Sequence, residues 1–411
     1  MASKPALKQS LKNLLIWQLK GWPKFTATSP AVDAALLQAR KWQGEVIGRA
    51  AAVGLAQSGS VLHEVMTQEV IATAAIEGEK LDPASVRSSI LRQLGHLPDS
   101  DPAPRRRHVD GLVDVIQDAT LGFKQLLTED RLLRWQSALF PGGTSGIRRI
   151  AVGRYRDHSD LMQIVSGQPG KEIIHYTAPP SAQVPTEMQA FLAWFAETTP
   201  DTSSKNGVLA PAVAMNGITR AAIAHLWFES IHPFEDGNGR IGRAIMDMAL
   251  AQDLGETTRL YSLSSQLMQH RKGYYDALHQ AQQGSLDVSD WVLWFTQQFS
   301  LACQATCALI DSALEKSTFW QTHSATSLNE RQRKVIQRLL DDGDGGFLGG
   351  LNAEKYMKMT NTSKATATRD LADLVKNGLL RSAGQGKAIR YYVAIAGWEV
   401  GWRSGAEKDA D

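Results

Sequence analysis

The chain is poor in cysteine, with two thiols, Cys303 and Cys307, in 411 residues. Their i, i+4 spacing puts both on one face of a predicted helix, and no His-rich or Cys-rich partner lies near to complete a zinc site. Small buried residues of this kind need no bridge. A chain without a disulfide framework suits a reducing compartment. Long apolar runs are also missing. No uninterrupted stretch approaches the ~20 residues that a membrane span needs. The N-terminal "MASKPALKQSLKNLLIWQLKGW" has lysines but only "LLIW" as an apolar run, without a secretory core and cleavage site. Neither charge is in excess: 44 Lys+Arg against 42 Asp+Glu leave a formal net charge of +2. Global charge therefore singles out neither nucleic acid nor membrane, and a charged binding surface would have to be local. No internal repeat is visible. These absences lead us to expect a soluble, cytoplasmic protein with no membrane partner. At ~150 residues per domain, two or three domains are expected.

What is present is mostly helical pattern. Over residues 1–95, "PAVDAALLQARKWQGEVIGRAAAVG" and "SGSVLHEVMTQEVIATAAIEGEKL" repeat apolar residues at three- and four-residue intervals, which predicts an N-terminal helical module. "GHLPDSDPAPRRR" (95–107) is a turn-rich boundary. A core over 105–320 follows. In it "IRRIAVGRYR", "LMQIVSG" and "KEIIHYTAPP" read as short strands, the last two as a β-hairpin. "VPTEMQAFLAWFAE", "ITRAAIAHLWFESIH", "RIGRAIMDMALAQDL", "SSQLMQHRKGYYDALHQAQQ" and "SDWVLWFTQQFSLACQATCALIDSALEK" read as helices. "THSATS" (322–327) is a polar linker. Beyond it, residues 326–395 read as three helices and a basic strand–loop–strand, the pattern of a winged helix, with a polar tail over 396–411.

One stretch departs from ordinary helix. "HPFEDGNGRIGR" (232–243) places a histidine, acids, glycines and arginines between two apolar helices, the first of which Pro233 must stop. Glycines let a backbone come close to a ligand. The N-terminus of the second helix offers unpaired N–H groups to a phosphate. Arg240 and Arg243 share one helical face and can point at the same anion. Asp236 would repel a bare phosphate, but an acid beside a phosphate site commonly holds Mg²⁺. His232 could then take a proton from an incoming hydroxyl.

The stretch resembles the signature of the Fic family at every position. The resemblance implies a mainly α fold. Its parts are a Fic-type helical core with a small β-hairpin flap, a helical N-terminal module before it and a winged helix after it. It also implies a protein adenylyltransferase, which moves AMP from ATP onto a Ser, Thr or Tyr hydroxyl. His232 would be the base and Asp236 the Mg²⁺ ligand. Gly237, Asn238, Gly239 and Arg240 would line the anion site, with Ile241 and Gly242 leading to Arg243, the γ-phosphate clamp.

"TAAIEG" (73–78) is similar to the family's inhibitory motif, with Thr73 and Glu77 on one helical face and Gly78 ending it. In the family this glutamate pairs with the motif's last arginine, so that ATP binds unproductively. The hairpin is similar to the Fic flap, and Met162, Gln163, Ile164 and Val165 are its candidates for pairing with an extended target segment. "YYDALHQAQQG" resembles a segment bordering the adenosine, with Tyr274 and Gln282 as candidates. Two other readings stand beside transfer: removal of AMP by the same site, and a DNA-binding regulator that senses nucleotide. In the winged helix, Thr362, Ser363, Lys364, Thr366, Thr368 and Arg369 of the second helix, with Lys387 and Arg390 on the wing, suit DNA. Asp370 and Asp373 dilute that charge, and such modules also dock proteins or form homodimers. Partners expected are therefore ATP, a protein target or the chain itself, DNA, and a second copy.

Overall fold

The computed structural model describes residues 14–53, 55–95, 107–166, 173–200, 215–255, 260–343, 349–396 and 398. The fold is mainly helical, and the chain divides into two compact units, Met1–Cys307 and Ala308–Asp411. No described helix is long and apolar enough to cross a membrane.

The first unit opens with α1 (Pro30–Val53), α2 (Leu55–Ile76), α3 (Pro83–Gln93), α4 (Arg107–Leu121) and α5 (Glu129–Leu139). Local chemistry sets their starts. Asp82 accepts from the Ser85 N–H ahead of a proline at the first helical position, and Thr128 accepts from the Arg131 N–H. Two short ladders follow: β1 (Thr144–Ser145) with β2 (Arg148–Arg149), and β3 (Gln163–Ser166) with β4 (Ile173–Thr177), both antiparallel. The expected hairpin is thus present, with its tip (167–172) outside the described residues. The strand expected over 147–156 is not: only Arg148–Arg149 pairs, and the chain from 150 onward is irregular. Arg156, at the end of that stretch, is buried.

Next come α6 (Val184–Glu197), α7 (Gly217–Ile231) and α8 (Asn238–Leu254). Every residue of α7 is buried, and α8 is buried almost throughout. Helices that bury all faces form the centre of a core. The expected helix over 264–283 divides at His270 into α9 (Leu263–Gln269) and α10 (Arg271–Gln283). The described segment before α1 (14–29) is not α-helical. It is pinned by Trp22 and Phe25, packed edge-on against each other and against Trp227 of α7. Arg40 of α1 bonds Asp253 at the end of α8 and Asn216 at the start of α7.

α11 (Ser289–Thr322) starts in the first unit and ends in the second. The second unit adds α12 (Glu330–Asp341), α13 (Ala353–Thr360), α14 (Lys364–Lys376) and an antiparallel pair, β5 (Leu380–Ala383) and β6 (Arg390–Val393). Leu351 and Tyr391 exchange both backbone hydrogen bonds, at 3.1 and 2.8 Å. Its core is apolar and separate, built on Ile336, Leu340, Tyr356, Leu371 and Leu374. Of the turn expected at 95–107 only its ends are described, and the tail after 396 falls outside except Trp398.

Candidate active site

The connection between α7 and α8 is short and heavily braced. His232 ends α7 with φ 51 and ψ 61, a left-handed conformation that a non-glycine residue seldom adopts, while its N–H still donates to the Phe228 carbonyl at 2.9 Å. The surroundings hold it there. Arg156 is 2% exposed. Its Nε donates to the His232 carbonyl at 2.8 Å, and Nη2 to the carbonyls of Pro179 at 2.7 Å and Ile231 at 3.2 Å. The Arg156 N–H donates to the Pro233 carbonyl at 2.9 Å. One guanidinium thus occupies carbonyls that the end of a helix would otherwise leave unpaired.

The loop is fixed from the other side as well. Phe234 is wholly buried against Tyr155 and Phe228. Asn238 takes the Phe234 N–H at 2.9 Å and donates to the Phe234 carbonyl at 2.8 Å. Its side chain is therefore spent on the loop rather than offered to an anion. Gly237 has φ 91, and a Cβ there would meet the Phe140 ring at 2.9 Å. The first intrahelical bond of α8 runs from the Ile241 N–H to the Gly237 carbonyl at 3.0 Å. The N–H groups of the preceding turn have no intrahelical partner and carry the positive end of the helix dipole.

Arg243 lies one turn further along α8, 1% exposed. Nε donates to Thr73 Oγ1 at 2.7 Å, and Nη2 to the Thr73 carbonyl at 3.0 Å and to Glu77 Oε1 at 2.7 Å. Burial opposes its charge, but Glu77 and the nearby Tyr274 and Tyr275 rings hold it charged above the ordinary arginine range. Glu77 stands just beyond the end of α2, where Gly78 reverses the chain at φ 84. Arg271 secures that end by donating to the Ile76 carbonyl at 2.9 Å. Glycine at 239 is what lets the carboxylate in, since a Cβ there would stand 2.2 Å from Glu77 Oε1.

Arg240 lies over the Phe140 ring at 4.9 Å and is 3.7 Å from both Glu79 and Asp236. Asp236 accepts from the Gly237 N–H at 2.6 Å and from the Ser145 hydroxyl, and its side chain is 39% exposed.

Two titrating groups are displaced. Burial, with the Arg156 charge adding to it, lowers the His232 imidazole to about 4, so it is neutral at pH 7 with a lone pair available. Burial raises the Glu229 carboxyl to about 8 against the pull of Arg243. Its Oε2 is 3.7 Å from His232 Nδ1, too far for a hydrogen bond. Glu229 and Arg156 received no role from the sequence. Glu229 sits in an apolar helix three residues before the histidine, and that was its only signal. Arg156 had none, because its partners are distant in sequence.

The structure gathers His232, Asp236, Gly239, Arg240, Arg243, Thr73 and Glu77 around one loop. Ile241 is buried on the core side of α8, and Gly242 lies against Glu229 and His225. Tyr274 lies near Arg243 and Glu77, close enough for their charges to act on it, and Gln282 is buried. Tyr274 is 1% exposed with its hydroxyl 2.7 Å from His225 Nε2, and Gln282 is 2% exposed, so both lie in the core. Met162, just before β3, and Gln163 and Ile164 on it are half-buried, and Val165 is exposed. β4 is anchored next to the histidine by the Tyr176 hydroxyl, which donates to the Ser230 carbonyl at 2.8 Å. Trp17 Nε1 donates to the Thr177 carbonyl at the end of β4, 2.9 Å.

Residues 126–250 match the Fic/DOC family, and residues 15–96 match a domain of unknown function (DUF4172). A curated relative, "Probable protein adenylyltransferase aq_aa38" of Aquifex aeolicus (strain VF5), is 34% identical over 71 residues, 17% of this chain. The chain spans about a fifth of that relative's length, 20%. Among solved structures, a Fic family protein from Desulfovibrio desulfuricans G20 superposes with a TM-score of 0.51 at 20% identity, covering 90% of this chain and 98% of that one. That likeness shows the fold. A Fic domain containing signaling protein from Bacteroides thetaiotaomicron VPI-5482 matches with a TM-score of 0.44 at 17% identity, over 69% of this chain and 97% of that one.

Proposed function

Because the chain is a Fic family protein, we propose that it is a protein adenylyltransferase: it moves AMP from ATP to a Ser, Thr or Tyr hydroxyl of a target protein, and Glu77 holds it inactive. One observation carries the reading. A neutral histidine is locked in a left-handed turn directly before a helix N-terminus whose N–H groups and arginines suit a polyphosphate. In the step we assign, the target hydroxyl oxygen bonds to the α-phosphorus. The bond from that phosphorus to the bridging oxygen breaks, and pyrophosphate leaves. The hydroxyl proton passes to the His232 imidazole. The N–H groups at the start of α8 and Arg240 would hold the phosphates, and Arg243 would take the γ-phosphate once it leaves Glu77.

The donor set near Asp236 fits Mg²⁺ in a limited way. No described group of three or more His, Cys, Asp or Glu side chains is arranged to hold a metal. A single half-exposed carboxylate is what Mg²⁺ takes when substrate phosphates and waters supply the other ligands. Bound there by Asp236, it would neutralise charge on the phosphates as they separate.

The exposed edge of β3 would receive an extended segment of the target through main-chain hydrogen bonds, with Met162, Gln163, Ile164 and Val165 facing it. The order α12, α13, α14, β5, β6 supports a winged-helix module over residues 326–395, beside the N-terminal module over 1–95 and the catalytic core over 105–320.

The test is transfer from α-phosphate-labelled ATP with Mg²⁺, in cell extract and with the purified chain. Glu77→Gly is expected to label itself or an extract protein. Adding His232→Ala to that chain should abolish labelling while ATP binding persists. Equal labelling with and without the imidazole would end the proposal.

A further inference from the structure

The proposed reaction makes no use of α14. This helix follows α13 through Asn361, which has φ 50, and is capped by Ser363, whose Oγ accepts from the Thr366 N–H at 3.3 Å. Its inner side is Ala367, Asp370, Leu371 and Leu374, all buried. Its outer side is Lys364, Ala365, Thr368, Arg369, Ala372 and Lys376, all exposed. Of the two acids that a count of charges sets against these cations, Asp370 is turned inward, while Asp373 is half-buried at the edge of the outer face, one turn from Arg369. Asp370 is 6% exposed and accepts from Asn329, Arg331 and Tyr356. Asp373 accepts from Gln332 at 2.8 Å and Asn377 at 3.1 Å. The outer face therefore carries three cations, a hydroxyl and two alanines, with one acid, Asp373, at its edge.

A protein-docking face would be built differently. Binding energy between proteins concentrates in buried aromatic and aliphatic anchors. Among the described residues of Ala308–Asp411, no large apolar side chain is exposed. Cations with small and hydroxyl side chains suit phosphates and base edges instead. The helix has 13 residues, so it is about 20 Å long and slim enough for a major groove about 12 Å wide. The major groove of duplex RNA is too narrow and deep for it.

We infer that the outer face of α14 binds duplex DNA, with Lys364, Arg369 and Lys376 on phosphates and Thr368 turned to the groove between them. Ala365 and Ala372 leave room for the helix to come close.

The test uses the full chain and a fluorescent mixed-sequence DNA duplex of about three helical turns, followed by anisotropy between about 50 and 200 mM salt. The parent is expected to bind, with affinity falling steeply as salt rises. Lys364→Ala/Arg369→Ala/Lys376→Ala should lose about tenfold or more in affinity at low salt, and the slope of log affinity against log salt should flatten by about 3. Lys272→Ala, a 90% exposed lysine of the other unit, should leave both unchanged. All three replaced α14 side chains are exposed, so an unaltered circular dichroism melt should accompany the loss. The inference is overturned if the parent does not bind the duplex at low salt, or if the triple variant keeps the parental slope. It is equally overturned if Lys272→Ala loses as much, or if duplex RNA of the same length binds more tightly.

Discussion

Replacing Glu77 tests the link between the inhibitory contact and the proposed chemistry, and the structure bounds the size of the effect. Arg243 is held by three hydrogen bonds, two to Thr73 and one to Glu77. The Glu77 bond is charge-assisted, a class that contributes about 1.5–3 kcal/mol, or roughly 10- to 150-fold in an equilibrium. Glu77 is 35% exposed, and solvent screening moves the expectation toward the tenfold end. The carboxylate also fills the space that Gly239 leaves open. Glu77→Gly removes both the charge and the bulk, so the initial rate of labelling from ATP should rise by about tenfold or more. Glu77→Gln keeps the bulk without the charge and should give a smaller rise, which separates obstruction from electrostatics. Thr73→Val removes an uncharged acceptor from the charged Arg243 and leaves Glu77 in place, so it should raise the rate less than Glu77→Gly does. The assay is the initial rate of label incorporation, paired with calorimetric titration of ATP into each variant. A change under about twofold in Glu77→Gly would mean that freeing Arg243, a step set at 1.5 kcal/mol or more, does not limit the reaction.

Two further substitutions probe the frame around the histidine. Arg156→Leu should lower stability by at least about 3 kcal/mol in urea unfolding, because three buried carbonyls lose their donor together. Arg156→Lys should recover part of it, and a loss no larger than that of an exposed arginine would show that the clamp is dispensable. Glu229→Gln should stabilise the fold in a pH-dependent way. The folded carboxyl titrates near 8 and the unfolded one near 4.5, so between those values only the unfolded state ionises and stability falls as pH rises. The amide escapes this, and its advantage over the parent should grow from about zero at pH 4.5 to roughly 3 kcal/mol at pH 7. His225 and His232, both lowered by burial, weaken the fold as pH falls below about 6.5, but they do so equally in both chains and cancel in the difference. A difference that stays constant with pH would refute the buried, protonated carboxyl.

Which parts were legible follows from the range over which the physics acts. The stretch 232–243 was readable because a loop feeding a helix N-terminus places its acids, glycines and arginines by local geometry alone. Thr73 and Glu77 were readable as one helical face, but their contact with Arg243 came from resemblance, since 166 residues separate Glu77 from its partner. The hairpin was readable from its composition, whereas the strand expected at 147–156 failed. Nothing local indicated that Arg156 would cap α7. Tyr274 fits an adenosine pocket by sequence position and the core by burial. An aromatic at helical spacing carries no local sign of which of the two it joins.

α14 shows the opposite case, where the signal was present and a count of charges obscured it. Ala367, Asp370, Leu371 and Leu374 recur at helical spacing, so periodicity alone assigns Asp370 to the apolar side. An acid on such a face must find donors or destabilise the fold. It finds Arg331 and Asn329 at the start of α12 and Tyr356 of α13, and these hold its carboxyl below the ordinary aspartate range even though burial works the other way. Asp370 thereby becomes the polar joint that ties three helices together. Its charge is balanced by Arg331, on another helix, which leaves Asp373 at the edge as the one acid of this helix beside the outer cations. The same formal count of acids and bases can describe a neutral helix or a basic surface. The direction of each side chain decides between them, and the packing of the second unit sets that direction.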